Sequence, residues 1–254
     1  MTGSVSFDRV AADYDRTRGG EERGERYAAV LDPLFSRRGL TLEVGVGTGV
    51  VARGLRALRR RVVGVDLSPL MLARARERIG SSVAVGDALR LPLRTGTVDD
   101  AYSVWVLHLV GDVGAVLAEV ARVLRPAGRY LVVTSAKRET DPIGQVLAGV
   151  AERLQGERRA RDRRDNLVLL GASVGLVPVV SQLDQEEFTF PESPSGAAAW
   201  LEQRSASFVW EATEDQWREV VVPALERLRS MPEPDTPIER RVVHDVVVLE
   251  RLKD

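Results

Sequence analysis

The 254-residue sequence contains no cysteine. Disulfides, thiolate metal sites and a cysteine nucleophile are therefore excluded. Histidine is scarce: His108 and His244 are the only two, so a three-histidine metal site is excluded as well, and no metal is expected. Lysine is nearly absent, with Lys137 and Lys253 standing against 34 arginines. A GC-rich genome accounts for that skew as well as any chemistry does, and it carries no functional reading. Charge of one sign is also missing. The 36 basic and 37 acidic residues leave a net charge of -1, without the positive excess of a general nucleic-acid binder. No run approaches the roughly 18 apolar residues that span a bilayer, and the polar N-terminus MTGSVSFDRVAADYDRTR lacks the apolar core of a signal peptide. A soluble cytoplasmic protein is expected. What the chain does have is 44% hydrophobic residues, enough for a core, at a length suited to one domain with an elaboration.

The pattern along the chain is strand–helix alternation. A short helical arm around Val10 to Tyr14 precedes a helix from about Glu21 to Leu34. Apolar strands then read at Thr41 to Val44, Arg61 to Val65, Ser82 to Val85, Ala101 to Leu107 and Arg129 to Thr134. Helices separate them at Val50 to Leu58, from Ser68-Pro69 to about Arg78, and at Gly111 to Leu124; Ser68 is a capping hydroxyl followed by proline at the first helical position. Continuous apolar strands alternating with helices predict an α/β fold with a mostly parallel sheet covered on both faces. Beyond Ser135, helices are expected at Pro142 to Leu154, Asp162 to Val174, Ala197 to Phe208 and Glu214 to Leu228. A strand is expected over Val177 to Phe190, and a last one over Arg240 to Leu249. The stretch GERRARDRRD reads as a solvated helix face, with an anionic substrate region as the lesser alternative. A single domain over 1–254 results, with a small helical cap at about 192–234 inserted before the last strand.

The special residues fall at the C-terminal ends of strands, where open α/β sheets place their ligands. LEVGVGTG puts Gly45, Gly47 and Gly49 directly after the first strand, so the chain turns tightly and its backbone can approach a ligand. A dinucleotide fits this loop poorly: Val50 stands where the pyrophosphate motif has Gly or Ala, and Glu43 sits two residues before the first glycine. A carboxylate there repels a pyrophosphate and attracts an ammonium group. No Gly-Lys-Ser/Thr follows, which excludes a P-loop. Asp66, 21 residues after Gly45 and at the end of the second strand, is placed to accept hydrogen bonds from ribose hydroxyls. Asp87, after the third strand, can accept from an adenine amino group, with the backbone of Ala88 completing that edge. Leu67 and Met71 are placed to cover the ring faces, although core packing explains Met71 nearly as well.

These residues together resemble the class I S-adenosylmethionine-dependent methyltransferases, in the small-molecule branch that includes the ubiquinone and menaquinone C-methyltransferases. The likeness rests on FDRVAADYDRTR, LEVGVGTG, VVGVDLSPLMLARAR, VGDALRLPLRTGTVDDAYSVWVLHLV and VLAEVARVLRPAGRYLVV, and covers about residues 7–134. It implies a Rossmann-like seven-stranded sheet of order 3-2-1-4-5-7-6 with the last strand antiparallel, and an N-terminal arm (1–38) folded over the cofactor. It also implies S-adenosyl-L-methionine as cofactor. Gly45 and Gly47 would then wrap its methionine part, Glu43 would orient that loop, Asp66 would hold the ribose, and Asp87 with Ala88 the adenine. Tyr14 would reach the methionine carboxylate with Arg18 helping by charge, and Val104 would offer backbone to the amino group.

Methyl transfer from a sulfonium is an in-line displacement, so the protein mainly aligns the reactants and excludes water. A phenol or an activated carbon gains from proton removal, and His108, just beyond the fourth strand, is the candidate base. Its alternative role is a wall or a hydrogen-bond donor. His244 reads as structural. The stretch VWVLHLV lacks the (Asn/Asp)-Pro-Pro-(Tyr/Phe) element of base-modifying relatives, so a small-molecule acceptor is expected, with no nucleic acid and no membrane; monomer and homodimer both stay open. The cap carries Trp200, Phe208, Trp210 and Trp217, with Trp200, Arg204 and Ser207 at helical spacing. Part of this aromatic group is expected to line an acceptor pocket of moderate size. Two rival readings are a nicotinamide oxidoreductase and a protein of this fold that binds the cofactor without transfer.

Overall fold

The computed structural model describes residues 7–8, 11, 14–17, 19–139, 141–156, 161–179 and 185–253. Strands β1 (Leu40–Val44), β2 (Arg61–Asp66), β3 (Val83–Val85), β4 (Asp100–Val104) and β5 (Arg129–Glu139) pair in parallel, with Leu42 opposite Val63, Glu43 opposite both Gly64 and Tyr102, and Tyr102 opposite Leu131. The sheet continues through β6 (Leu176–Pro178), β7 (Gln185–Glu192) and β8 (Ile238–Arg251). Its order is β3-β2-β1-β4-β5-β8-β6, with β6 antiparallel to β8 and β7 also paired to β8. This is the expected 3-2-1-4-5-7-6 arrangement with one added strand, which shifts the number of the last one. The single strand expected over Val177 to Phe190 is instead two, β6 and β7. Pro178 has no N–H to give to a ladder, so it sits at the end of β6 and not within a continuous strand.

The helices are α1 (Tyr14–Thr17), α2 (Gly20–Leu31), α3 (Val50–Ala57), α4 (Pro69–Ile79), α5 (Val113–Val123), α6 (Pro142–Gln155), α7 (Arg164–Ala172), α8 (Pro194–Glu202) and α9 (Val222–Arg229). Among these described helices none is long and apolar enough to cross a membrane. The Ser68 hydroxyl accepts from the Met71 N–H at 3.1 Å and Pro69 opens α4, as the sequence leads one to expect. Helices α2 and α3 cross closely because two glycines allow it. A Cβ on Gly24 would lie 2.4 Å from the Val50 carbonyl oxygen, and one on Gly54 would lie 2.8 Å from Ala28 Cβ. This contact sets α2 beside the loop that follows β1.

The chain divides into two compact units. The first (1–135, 161–184 and 245–254) holds most of the parallel sheet. Its core includes Leu42, Val44, Val65, Leu117, Val120 and Val132, each buried side chain of this kind contributing about 1.5–3 kcal/mol.

The second unit (136–160 and 185–244) has its own core of Ile143, Leu147, Leu201, Val221, Leu225 and Leu228. Here the expected helices are interrupted. The helix expected to run from Ala197 to Phe208 ends at Glu202, because Arg204 adopts φ 53°; its N–H bonds the Leu201 carbonyl, and the Ser205 N–H bonds that of Trp200. This pair of bonds is a Schellman termination, here without glycine. Trp200, Arg204 and Ser207 therefore do not share one helix face, and Ser207 opens a separate 3-10 turn. The helix expected over Glu214 to Leu228 is a short α-helical turn (Glu214–Gln216), a π-helical segment (Trp217–Val221) and then α9. Pro223, lacking an N–H, leaves a normal ladder bond unmade at that junction. The Arg204 guanidinium lies 4.0 Å from the centre of the Trp217 ring, Trp210 Nε1–H donates to the Arg204 carbonyl, and Trp200 meets Phe208 edge to face. These aromatics pack against the second unit's own core.

Candidate functional site

Between β1 and α3 the backbone turns through three residues of positive φ: Gly45 at 73°, Gly47 at 53° and Gly49 at 79°. Gly45 has no room for a side chain, since a Cβ would meet Val106 Cγ2 at 2.5 Å. Gly47 has the opposite surroundings, with nothing within 4 Å of such a Cβ. The loop is thus tight against the protein on one side and open on the other, as a backbone cradle for a ligand must be. The Gly45 N–H is anchored to the Val65 carbonyl at 2.8 Å, and the Gly47 N–H donates to Asp66 Oδ2 at 2.8 Å.

Asp66 organises two elements at once. Its other oxygen accepts the Ser68 N–H at 2.9 Å, which fixes the entry into α4. Burial raises its pKa above the usual carboxylate value, and the bonds from Ser68 and Gly47 counter that rise. Glu43 lies beneath the loop, 2% exposed, and its Oε2 accepts from the Tyr102 hydroxyl at 2.7 Å. Burial pushes the Glu43 carboxyl up to about 8; the Tyr102 bond opposes this, the Asp66 charge adds to it, and the Arg23 charge opposes it. A folded pKa above the unfolded one means that the unfolded chain binds fewer protons between the two values, so stability falls as pH rises through that window. Glu43→Gln keeps an acceptor for Tyr102 and removes the ionisation. Urea unfolding is expected to show the slope between about pH 5 and pH 8, worth on the order of a few kcal/mol, in the parent chain and a clearly shallower one in the variant, where Asp66 still contributes.

The N-terminal arm packs onto this loop. The Thr48 hydroxyl donates to Asp15 Oδ1 at 2.6 Å, while Arg78 joins Asp15 Oδ2 at 2.7 Å and the Thr48 carbonyl at 2.9 Å. Ser68 Oγ donates to Asp8, and Phe7 lies 6.3 Å from the Tyr14 ring. Tyr14 is therefore held beside the glycine loop. Arg18 lies outside the described residues.

Arg23 is a site residue that sequence reasoning missed. Its guanidinium stands 5.0 Å from the centre of the Trp105 ring and 5.5 Å from that of Tyr14. Its Nε and Nη1 are buried and have no hydrogen-bond partner among the described residues. Two buried donors without an acceptor among the described residues leave room for an anionic ligand, such as a carboxylate, to accept from one of them. In the sequence, Arg23 sits in EERGERY and is indistinguishable from a solvent-facing helix residue.

β4 ends at Val104, three residues before the expected Leu107. Trp105 has φ 56°, an unusual conformation for an aromatic residue, and turns the chain out of the sheet after its N–H reaches the Val133 carbonyl. His108 consequently lies on a 3-10 turn (Leu107–Leu109). At the other end of the site, Asp87 follows β3, is exposed, and its Oδ1 accepts the Leu89 N–H at 2.9 Å, while the neighbouring Ala88 is half-buried against the core. Leu67 is 42% exposed; Met71 is 1% exposed and sits in the core. Of those two, Leu67 is the one available to cover a ring.

Residues 42–132 match the family model described as a methyltransferase domain. A phosphatidylethanolamine N-methyltransferase of Cereibacter sphaeroides is 33% identical over 156 residues, covering 58% of this chain and 75% of that protein. The chain belongs to the class I S-adenosylmethionine-dependent methyltransferases. Its cofactor is S-adenosyl-L-methionine. The malonyl-[acyl-carrier protein] O-methyltransferase of Yersinia pestis is 31% identical over 161 residues, 63% of this chain and 58% of that protein. The chain thus spans little more than half the length of the malonyl-[acyl-carrier protein] relatives it matches. A solved type II methyltransferase from Anaeromyxobacter dehalogenans, so named provisionally, shares the fold at TM-score 0.62 and 20% identity, over 91% of this chain and 97% of that one.

Proposed function

We propose that this methyltransferase-family chain moves the methyl group of S-adenosylmethionine to an oxygen, nitrogen or activated carbon of a small molecule in the cytoplasm. The observation that carries the reading is the joint placement of an open Gly47 backbone, the Asp66 carboxylate and the unpaired Arg23 donors around one loop. The cofactor supplies the activated methyl as a sulfonium. The residues of the chain bind and orient: Arg23 and Tyr14 take the carboxylate, Val104 offers its carbonyl to the ammonium, and Glu43 braces the loop from below. Asp66 accepts from the ribose, and Asp87 with Ala88 meets the adenine edge under Leu67. His108 takes the acceptor's proton where one must leave. An acyl-carrier-bound acid and a phospholipid amine are the acceptors in the names of the two relatives; phenolic and quinone-like acceptors are the class proposed here.

The experiment is incubation with methyl-labelled cofactor across hydroxyl, amine and phenolic acceptors. Label in one class supports the reading, and no label in any class opposes it. Arg23→Met separates the subsites. It is expected to weaken S-adenosylhomocysteine binding about 10- to 100-fold, the loss of a charged hydrogen-bonded pair, while leaving methylthioadenosine, which lacks the carboxylate, within about twofold. Equal weakening of both ligands by calorimetry would refute the Arg23 assignment.

A further inference from the structure

Asp162 belongs to the arginine-rich stretch that the sequence presents as a solvated helix face. Its side chain is instead 1% exposed. It lies just before α7, whose N-cap position is Arg163. Its Oδ2 stands 4.0 Å from His108 Nδ1, and the His108 side chain keeps 11% of its surface exposed. One bond ties the two segments together beside this pair, and a second braces the Asp162 segment internally. Arg161 Nη1 donates to the Val110 carbonyl at 3.0 Å, and the Asn166 amide donates to the Arg161 carbonyl at 2.6 Å. A carboxylate taken out of water costs several kcal/mol unless a counter-charge or donors meet it. An imidazolium formed at His108 would be such a counter-charge.

We propose that Asp162 is a positioning residue for His108: it holds the ring with Nδ1 toward the carboxylate and leaves Nε2, on the far side of the ring, to receive a proton from the methyl acceptor. This rests on the methyltransferase reading and names the group that makes its base effective. The balance is simple for a hydroxyl acceptor. The O–H bond breaks toward His108 Nε2 and the oxygen forms the new bond to the methyl carbon. The sulfur keeps the electron pair of the broken bond and becomes a neutral thioether. The positive charge that began on sulfur thus ends on the imidazolium, beside Asp162. A separation of 4.0 Å is longer than a hydrogen bond, and such contacts tighten when substrate binds. Among the described residues, the charged groups at the His108 turn are Asp162, 4.0 Å from the ring, Asp112, which caps α5 through the Ala115 N–H, and Arg161, bonded to the Val110 carbonyl.

The test uses the two-histidine composition. Ring C–H signals of His108 are followed by NMR against pH, with His244→Gln assigning them, in the parent chain and in Asp162→Asn. The expected result is a His108 pKa above the ordinary value of about 6.5 in the parent, falling by about one unit in Asp162→Asn. In that variant kcat falls about tenfold or more, S-adenosylhomocysteine affinity stays within about twofold, and Asp162→Glu partly restores turnover. An unchanged His108 pKa in Asp162→Asn overturns the proposal. Should that variant not fold, a parent His108 pKa below about 6 overturns it, and a value above 6.5 supports it. The ring titration needs no methyl transfer, so failure of the enzymatic reading would show separately, as missing cofactor binding.

Discussion

Asp66→Ala is expected to weaken binding of S-adenosylhomocysteine by about 30- to 100-fold, equivalent to about 2–3 kcal/mol. The size follows from what the carboxylate does. It accepts the Gly47 N–H at 2.8 Å and the Ser68 N–H at 2.9 Å, beside the open Gly47 backbone. Alanine removes the ribose acceptor and also releases the loop from α4, so a ligand-dependent and a loop-ordering loss act together. Asp66→Asn is the informative companion. Its amide oxygen can still accept one backbone N–H, so it should keep most of the fold's thermal stability while losing much of the affinity. Isothermal titration of both variants checks this, and unchanged affinity in Asp66→Ala would refute the ribose assignment.

The second large effect lies in the other unit. Arg240 is 2% exposed, bonded to Asp141 at 3.1 Å and to Glu192, with its guanidinium 5.5 Å from the Phe190 ring centre. Asp141 also caps α6 by accepting the Gly144 N–H. Arg240→Met keeps the apolar stem but leaves two poorly solvated carboxylates facing each other. Removing one member of such a buried group costs about 3–5 kcal/mol, which for a chain of this size lowers the thermal midpoint by about 10 °C. Adding Glu192→Gln to the variant should recover part of the loss, because it removes one of the stranded charges. A midpoint within about 2 °C of the parent would show that the cluster contributes little.

The parts legible in the sequence share one property: their signal is local. The glycine triplet after an apolar strand, Asp66 at the end of the next, and Ser68-Pro69 opening α4 each depend on residues within one turn of the chain. The strand order came with the family resemblance and holds, apart from the extra β7. What the sequence hid depends on approach between distant segments. Arg23 becomes a site residue only because Trp105 and Tyr14 come to its two sides. Asp162 is buried where the Arg161–Val110 bond brings its segment against the His108 turn. The ends of β4 and α8 were misplaced for a related reason. Both stop at a non-glycine residue with positive φ, Trp105 and Arg204, which are held in that conformation by tertiary contacts and carry no propensity that announces a break.

The central claim is that the loop between β1 and α3, with Arg23 and Asp66, is built for an adenosyl cofactor bearing an amino-acid tail. Calorimetric titration of the purified chain with S-adenosylhomocysteine, run beside NAD, tests it in one measurement. The account predicts saturable one-site binding of S-adenosylhomocysteine and none of NAD. Saturable binding of NAD with no response to S-adenosylhomocysteine would contradict it.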